Sequence, residues 1–524
     1  MSSESGTYAD LPNNTDKSWW KDPGLRKNVF HIAGLCVCPF YLGYDSALLT
    51  GLQALPYWKD YFGHPTGTTL GLITASISFP TVITSFFASW VAEKYGRRWA
   101  VWIGTALIIV GGIVNGLANS LAMLIIARVI IGAGGGMTKV VAVALLHEIA
   151  HPRLRPLAAS IFYSLYYSGS ILAAWLTFGT LYIKSDWSWR FPALVQVLGP
   201  VIVLSMTITM PESPRWLVKS DQAAKALDIL ANYHANGDSL DPLVQYEYRE
   251  IVDAIEQENL SNRVSYLDFF RNEPNRRRLA VLVAISLGQN WIGNGIISYY
   301  LSPILNTVGI TDPTQIVGIN GGLQIFNLVM ALGASMCIER IGRRPLWLAS
   351  TFGIMCSNAC IMGLSAGFAI NKTQALGVAV IPFLYIFYGF YDIAWTPLPY
   401  SYSSEILPFS MRTKGMAIFV ATQNIGAAFN QFVNPIALQA IAWKYYGVYL
   451  IVEAAYLVFM WFYFPETKQK TIEEVSVIFD KYGKGGKAKD LQVNAMDQAR
   501  AAGKDTAEHV EFSTGEGKKS TEQK

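Results

Sequence analysis

Twelve stretches of this chain are each about twenty residues long and mainly apolar, the length a helix needs to cross the hydrocarbon of a bilayer. They fall at 29–50, 69–92, 100–118, 121–148, 157–182, 190–210, 279–301, 316–338, 346–368, 375–400, 413–436 and 445–464. Continuous apolarity over that length argues for helices, because barrel strands would be about ten residues long and would alternate polar with apolar. Of 524 residues only 15% are charged and 52% are hydrophobic, whereas soluble domains carry roughly 25% charged residues. Too little polar surface remains to coat a water-facing globule, and disorder is excluded for the bulk of the chain. A scattered net charge of +4 does not indicate a nucleic-acid partner. Cys36, Cys38, Cys337, Cys356 and Cys360 lie in or beside apolar runs, which is neither a disulfide framework nor a zinc pattern. The expected fold class is an all-α polytopic membrane protein embedded in the lipid bilayer, with no metal and no cofactor.

Orientation follows from the lysine and arginine bias of short loops. One set of loops carries Lys94, Arg97 and Arg98, then Arg153 and Arg155, then Arg340, Arg343 and Arg344, then Arg412 and Lys414. The opposite set holds Lys59, Lys184, Lys372 and Lys444. Both termini and the 211–278 segment are therefore expected in the cytosol. The first apolar run starts late and leads into further spans, so no cleavable signal peptide is expected. The triplet Asn371-Lys-Thr373 falls in an outer loop and is a weak glycosylation candidate. A similar triplet from Asn13 would be cytosolic and unused.

Three motifs occur twice, in the same order, at a nearly constant offset of about 250 residues. Glu93-Lys-Tyr-Gly-Arg-Arg98 returns as Glu339-Arg-Ile-Gly-Arg-Arg344, Glu148 with Arg155 returns as Glu405 with Arg412, and Pro211-Glu-Ser-Pro214 is echoed by Pro465-Glu-Thr467. Each sits at the cytosolic end of a matching span. The pattern implies 12 transmembrane helices in two parallel six-helix halves meeting around a midplane site. The expected division is a tail at 1–28, a first half at 29–210, a cytosolic linker of amphipathic helices at 211–278, a second half at 279–464 and a tail at 465–524. On one reading the arginines there only satisfy the positive-inside rule and have no further role. The functional reading has Glu93, Glu148, Glu212, Glu339, Glu405 and Glu466 pairing with Arg98, Arg155, Arg344 and Arg412 across helix ends. As an inner gate, these pairs would break when the cytosolic side opens.

Over roughly 29–475 the chain resembles a major facilitator superfamily sugar porter, in the fungal lactose-permease-like and cellodextrin-permease-like branch. The resemblance is carried by Gly43-Tyr-Asp45, the two Gly-Arg-Arg loops, Pro211-Glu-Ser-Pro-Arg-Trp216, Gly288-Gln-Asn-Trp-Ile-Gly-Asn-Gly295 before Tyr299-Tyr300, and Ser404-Glu-Ile-Leu-Pro408 with Arg412. Tyr167-Ser-Gly-Ser-Ile-Leu-Ala-Ala-Trp175 is similar to the fungal branch in particular. Ser89, Ser335 and Pro156 stand where the family usually has glycine. Tyr163 replaces a glutamine common in hexose porters, which leans toward a larger or different sugar.

Asp45 is the lone acid of the first span, and Arg128 enters the fourth span at similar depth, so the two can pair. An intramembrane carboxylate usually faces a cavity and has a partner. The resemblance implies that Asp45 is a proton site with Arg128 as its partner; a static ion pair is the other reading. It further implies that Gln289, Asn290, Asn327, Tyr400, Gln423 and Asn424 bind the sugar. Amides donate and accept at once, and a ring gives the sugar an apolar face to rest on. The alternative for each amide is helix–helix bonding. Tyr299 and Tyr300 fit an outer gate, with Gly293 and Gly295 allowing a bend, or else an interfacial aromatic belt. His147 and His151 lack the metalloprotease order, and no nucleophile–base constellation exists, so an enzyme is not expected.

The leading expectation is a secondary active transporter, acting as a monomer in the plasma membrane, that imports a disaccharide or hexose with a proton by alternating access. Transport of a glycosylated or polyol metabolite, including export, is a second reading on the same fold. A non-transporting sugar sensor is a third, disfavoured by the short C-terminal tail.

Overall fold

The computed structural model describes residues 14–16, 18–261, 265–468, 475, 478 and 479, and contains no strand among them. Twelve helices follow the expected spans: α1 Pro23–Leu52, α2 Gly67–Lys94, α3 Arg97–Gly116, α4 Leu121–Ile149, α5 Arg155–Thr180, α6 Trp187–Thr207, α7 Glu273–Thr307, α8 Pro313–Ile341, α9 Arg343–Asn371, α10 Gln374–Glu405, α11 Phe409–Ile441 and α12 Tyr445–Tyr463. Ten stretches of the described residues are long and apolar enough to cross a membrane, α11 and α12 falling in one of them; α5 is not among the ten.

Within the first six helices α1 packs on α5, and α4 on α2 and α3; within the last six α7 packs on α11, and α9 on α10 and α12. The two sets meet through α5 against α8, α2 against α11, and α1 against the second part of α7. The pairs α5–α8 and α2–α11 exchange when each set is counted from one, so the duplication read in the motifs reappears in the packing. Arg98 and Arg344 mark what we term the basic end of the bundle. The C-terminus of α1 marks the far end, where Asn371 closes α9 with an exposed side chain.

Proline explains where the helices break. A proline clashes with the carbonyl four residues back and gives it no N–H. Helix α2 is interrupted at Ser76 and Ile77, four and three residues before Pro80, and α6 at Gln196 and Val197, before Pro200. The break in α10 spans Trp395 to Pro397, where Pro399 removes the donor for the Trp395 carbonyl. In α7 the break lies at Gly293, which adopts φ +92°, and a second kink falls at Tyr300, just before Pro303. The freed carbonyls must find other donors, and they recur in the site described below.

The crossing of α1 and α5 is backbone on backbone. A Cβ on Gly43 would lie 1.9 Å from the Tyr166 carbonyl oxygen, and one on Gly169 would lie 1.8 Å from that of Phe40. The Ser170 hydroxyl donates to the Gly43 carbonyl at 2.9 Å. Gly169→Val is expected to leave little folded protein in the membrane. Monodisperse recovery in detergent at wild-type yield would contradict that.

At the basic end two of the duplicated motifs, the Gly-Arg-Arg loop and the Pro-Glu pair, combine into a helix cap. Gly96 and Gly342 take φ of +108° and +107°, a backbone open to glycine, and α3 and α9 start directly after them. Glu212 accepts from the backbone N–H groups of Arg97 and Arg98 at 2.9 and 3.1 Å, and Glu466 from those of Arg343 and Arg344 at 3.0 Å each. A carboxylate at a helix N-terminus satisfies free donors and the positive end of the dipole. Burial raises the Glu212 pKa above its ordinary value, against the lowering by those N–H groups and by the Arg98 charge.

The linker helix Ala223–His234 docks on α1 of the first half, and Pro242–Ser261 packs on that helix and also reaches α11 of the second half. Glu247 ties the dock together, with Arg155 Nη2 at 3.3 Å and His234 Nδ1 at 2.6 Å. His151 stacks edge-on against His234, ring centroids 5.1 Å apart, and its Nδ1 accepts from the Arg153 N–H. Burial, followed by the charges of His234, Arg153 and Arg155, pushes His151 down from 6.5 to about 3. The fold therefore holds it neutral, while the unfolded chain protonates it below 6.5. Its contribution is complete above 6.5 and is lost as pH falls toward 3. Between about pH 7.5 and about pH 5 the wild type should lose more thermal stability than His151→Asn, which keeps an acceptor without the titration. Equal losses in a detergent melting assay would refute this.

Candidate substrate and coupling site

In the second half, four of the expected binding residues form one hydrogen-bonded cluster. Gln423 of α11 donates to Gln289 Oε1 of α7 at 2.5 Å, and the Tyr400 hydroxyl of α10 donates to Gln423 Oε1 at 2.9 Å. Gln289 Nε2 in turn reaches the Trp395 carbonyl at 3.4 Å, the one that Pro399 leaves without a donor. Asn290 donates to the Gln423 carbonyl at 3.2 Å, and Asn430 to the Asn290 carbonyl at 2.9 Å. The Tyr400 ring lies edge-on to Phe419. Three helices thus present a ring and two side-chain amides whose present partners are mostly one another. A polyol can take over such bonds one for one.

The other two expected residues stand apart. Asn424 donates across the halves to Ser85 Oγ of α2 at 3.4 Å. Asn327 of α8 is buried, with its Oδ1 lacking any hydrogen-bond partner. The side chains of Tyr163 and Glu339 lie outside the described residues.

Asp45 and Arg128 are both buried, at 9% and 5% exposure, and their charges act on one another, yet they make no direct ion pair. Asp45 Oδ1 instead accepts from Gln196 Nε2 at 2.6 Å, and Arg128 Nε donates to the Ile73 carbonyl at 2.8 Å. Gln196 sits in the break of α6, and Ile73 lies just before the break of α2. Interrupted helices supply both partners, which spacing along α1 and α4 alone does not reveal.

The far end is closed by bonds between the halves. Thr50 Oγ1 donates to the Ser298 carbonyl at 2.6 Å, and Gln53 Nε2 to the Tyr299 carbonyl at 3.0 Å. Pro303 deprives that second carbonyl of its helical donor. Within the second half, Tyr300 is fully buried and donates to the Gln431 carbonyl, freed in the same way by Pro435; across the halves, Ser78 donates to Gln431 Oε1. Gly71 of α2 lies where a Cβ would be 2.6 Å from the Phe432 carbonyl oxygen.

At the basic end the ionic contacts differ from the expected partners. Arg97, rather than Arg98, meets Glu148 at 3.3 Å, and Arg343, rather than Arg344, meets Glu405 at 3.3 Å. Arg98 donates to the Met210 carbonyl and lies over Trp102; Arg344 donates to the Trp461 carbonyl and lies over Trp461. Arg155 pairs with Glu247 of the linker, and Glu93 is exposed. Arg412 is half-buried. Each ion pair described here lies within one half or between a half and its docked linker. With α3 and α9 starting directly after Gly96 and Gly342, the first arginine of each pair takes the acid and the second lies toward the end of α6 or α12.

Two buried acids in spans were not anticipated. Asp392 of α10 accepts from the Tyr167 hydroxyl of α5 at 2.8 Å, across the halves, and from Thr396 at 2.7 Å, while its Oδ2 is buried without a partner. Glu453 of α12 accepts from Asn358 at 3.0 Å inside the second half. The criterion that singles out Asp45, a lone acid in an apolar span, finds both.

A family model described as sugar (and other) transporter matches residues 32–479. The chain is 29% identical over 468 residues to the high-affinity glucose transporter of Kluyveromyces lactis, covering 86% of this chain and 84% of that one. It is 28% identical over 455 residues to the MFS-type transporter criB of Aspergillus cristatus, covering 86% and 92%. Among solved structures, the inward-open Escherichia coli xylose transporter XylE superimposes with a TM-score of 0.69 at 21% identity, covering 85% of this chain and 98% of that one. Its complex with 6-bromo-6-deoxy-D-glucose gives 0.68 at 21% identity, covering 87% and 99%.

Proposed function

This chain belongs to the sugar (and other) transporter family, and from that premise we propose that it imports a sugar, a disaccharide or hexose, together with a proton by alternating access. The observation that carries the reading is the Gln289–Gln423–Tyr400 cluster, where amides from α7 and α11 and a phenol from α10 bond to each other in the middle of the bundle. Names of relatives lend support: glucose is the cargo named for the Kluyveromyces lactis protein, and a proton:xylose symporter shares the fold. Asp45 is the proposed proton site, with Gln196 holding its carboxylate and Arg128 nearby as the charge that favours ionisation. Asp392 joins the proposed pocket, since its free oxygen is an acceptor at the contact between α5 and α10.

In the proposed cycle the basic end faces the cytosol and the far end faces outward. Thr50, Gln53 and Ser78 bond across the halves at the far end, while the ion pairs described at the basic end stay within a half or its linker, which supports a state sealed from outside. Tyr299, Tyr300, Gln53 and Ser78 form the outer seal, and the pairs Arg97–Glu148 and Arg343–Glu405, with Arg155 tied to Glu247 of the linker, brace the helix ends of the inner gate. Gln53→Ala deletes a bond to a carbonyl with no helical donor, and about 1 kcal/mol per bond shifts the balance outward about fivefold. Externally applied maleimide should then label a cysteine placed in the pocket faster than in the unaltered background. An unchanged rate would remove Gln53 from the seal.

The experiment for the reading as a whole is uptake of labelled glucose, xylose, lactose and cellobiose by a host lacking its own sugar transporters. Saturable uptake of one of them supports it; no uptake at verified surface abundance of these or of the sugar acids gluconate and glucuronate refutes it.

A further inference from the structure

Resting on the transport reading above, we infer that Lys139 is an anion site and that the cargo is a sugar acid, a polyhydroxylated molecule bearing one carboxylate. Lys139 lies within α4, ten residues before its end at Ile149 and eleven after Arg128, about 16 Å along the axis at 1.5 Å per residue. Spacings of three and four put Arg128, Gly132, Gly135 and Lys139 on one stripe of the helix. Neighbours of that stripe fix its direction. Gly132 abuts Ile77 of α2, Gly135 faces Leu42 of α1, and Gly136 abuts Thr84 of α2, while Gly134 is turned against Gly104 of α3. Lys139 therefore points between α1 and α2, the helices of the first half that also touch α7 and α11 of the second. Its side chain is exposed there, facing the space between the halves on the basic-end side of Arg128.

Arg128 has the Ile73 carbonyl and the Asp45 charge, but Lys139 has neither a hydrogen bond nor an ion pair. A cation inside a membrane span is held by a partner or marks a path for something that binds it. With no acid opposite among the described residues, the partner is left to the cargo. One ammonium balances one carboxylate, whereas a phosphate ester, doubly charged, would keep a charge unmatched. The adjoining wall carries hydroxyls: Thr81 and Thr84 of α2 lie against Gly136, and Ser85 is one residue on; each donates to a backbone carbonyl and keeps its oxygen as an acceptor, that of Ser85 already taking the Asn424 amide. Hydroxyls beside a lone cation suit a sugar whose end is oxidised to an acid.

The test is uptake of labelled gluconate and glucuronate beside glucose, lactose and glucose 6-phosphate, at a pH where the acids are ionised, in a host lacking its own carriers. Wild type, Lys139→Met and Lys139→Arg are compared at matched surface abundance. The wild type is expected to take up a sugar acid in preference to its neutral counterpart. Lys139→Met should lower the acid-to-neutral ratio about tenfold or more, the loss of one hydrogen bond to a charged group, and Lys139→Arg should retain most of it. Uptake of neutral sugar without acid, preference for the phosphate, or a ratio unmoved in Lys139→Met overturns the inference and leaves the transport reading intact. If Lys139→Met fails to reach the surface, the wild-type preference decides. Absence of uptake for every compound refutes both.

Discussion

Asp45→Asn is expected to abolish accumulation of sugar above the outside concentration while downhill entry and exchange survive. A unit charge crossing 100 mV gains about 2.3 kcal/mol, enough for roughly fiftyfold accumulation, and the variant forfeits all of it. Asparagine keeps the acceptor for Gln196 Nε2, now at 2.6 Å from the carboxylate, so the break in α6 keeps its partner and only the titration disappears. Gln196→Leu serves as the companion variant. With its amide gone, Asp45 is buried beside Arg128 without its hydrogen bond, and the coupling should weaken without vanishing. Accumulation by Asp45→Asn at the wild-type ratio would reduce Asp45 to a structural group.

The pocket variants carry the second large effect. Gln289→Ala strands the Trp395 carbonyl, which Pro399 already denies a helical donor, and removes the acceptor for Gln423. If the substrate shares these groups, each deletion costs about 1–3 kcal/mol, roughly a five- to 150-fold loss of apparent affinity. Gln423→Ala and Asn327→Ala should fall in the same range, Asn327 because its buried Oδ1 has no partner in the protein. Tyr400→Phe should lose less than Tyr400→Ala, since the ring against Phe419 remains. Apparent affinity is read at matched surface abundance, because residues that only join helices would lower abundance and leave affinity alone. Normal affinity in both Gln289→Ala and Asn327→Ala would remove the pocket from α7 and α8.

Much of this architecture was legible because a bilayer imposes its length on every apolar run, and because a duplicated loop motif marks the same end of each half. The motif's partners were harder to read. Whether Arg97 or Arg98 reaches Glu148 depends on the positive φ of Gly96, which rotates the start of α3. The acid–amide pair of Asp45 and Gln196 depends on a break in α6 that only Pro200 announces. A rule was nevertheless available. Pro303, Pro399 and Pro435 each free a carbonyl four residues back, and Gln53, Gln289 and Tyr300 are the groups that take them. Asp392 and Lys139 escaped notice because aromatic residues and glycines on either side keep their spans strongly apolar on average. A search for single charges inside spans, rather than for spans, brings both out.

Coupling is the central claim, and purified protein in liposomes tests it with nothing else present. With an inward proton gradient imposed and labelled sugar at equal concentration on both sides, the account predicts that sugar concentrates inside, and that a protonophore returns it to the outside level. Equilibration to equal concentrations with or without the gradient would contradict it and leave a facilitator in its place.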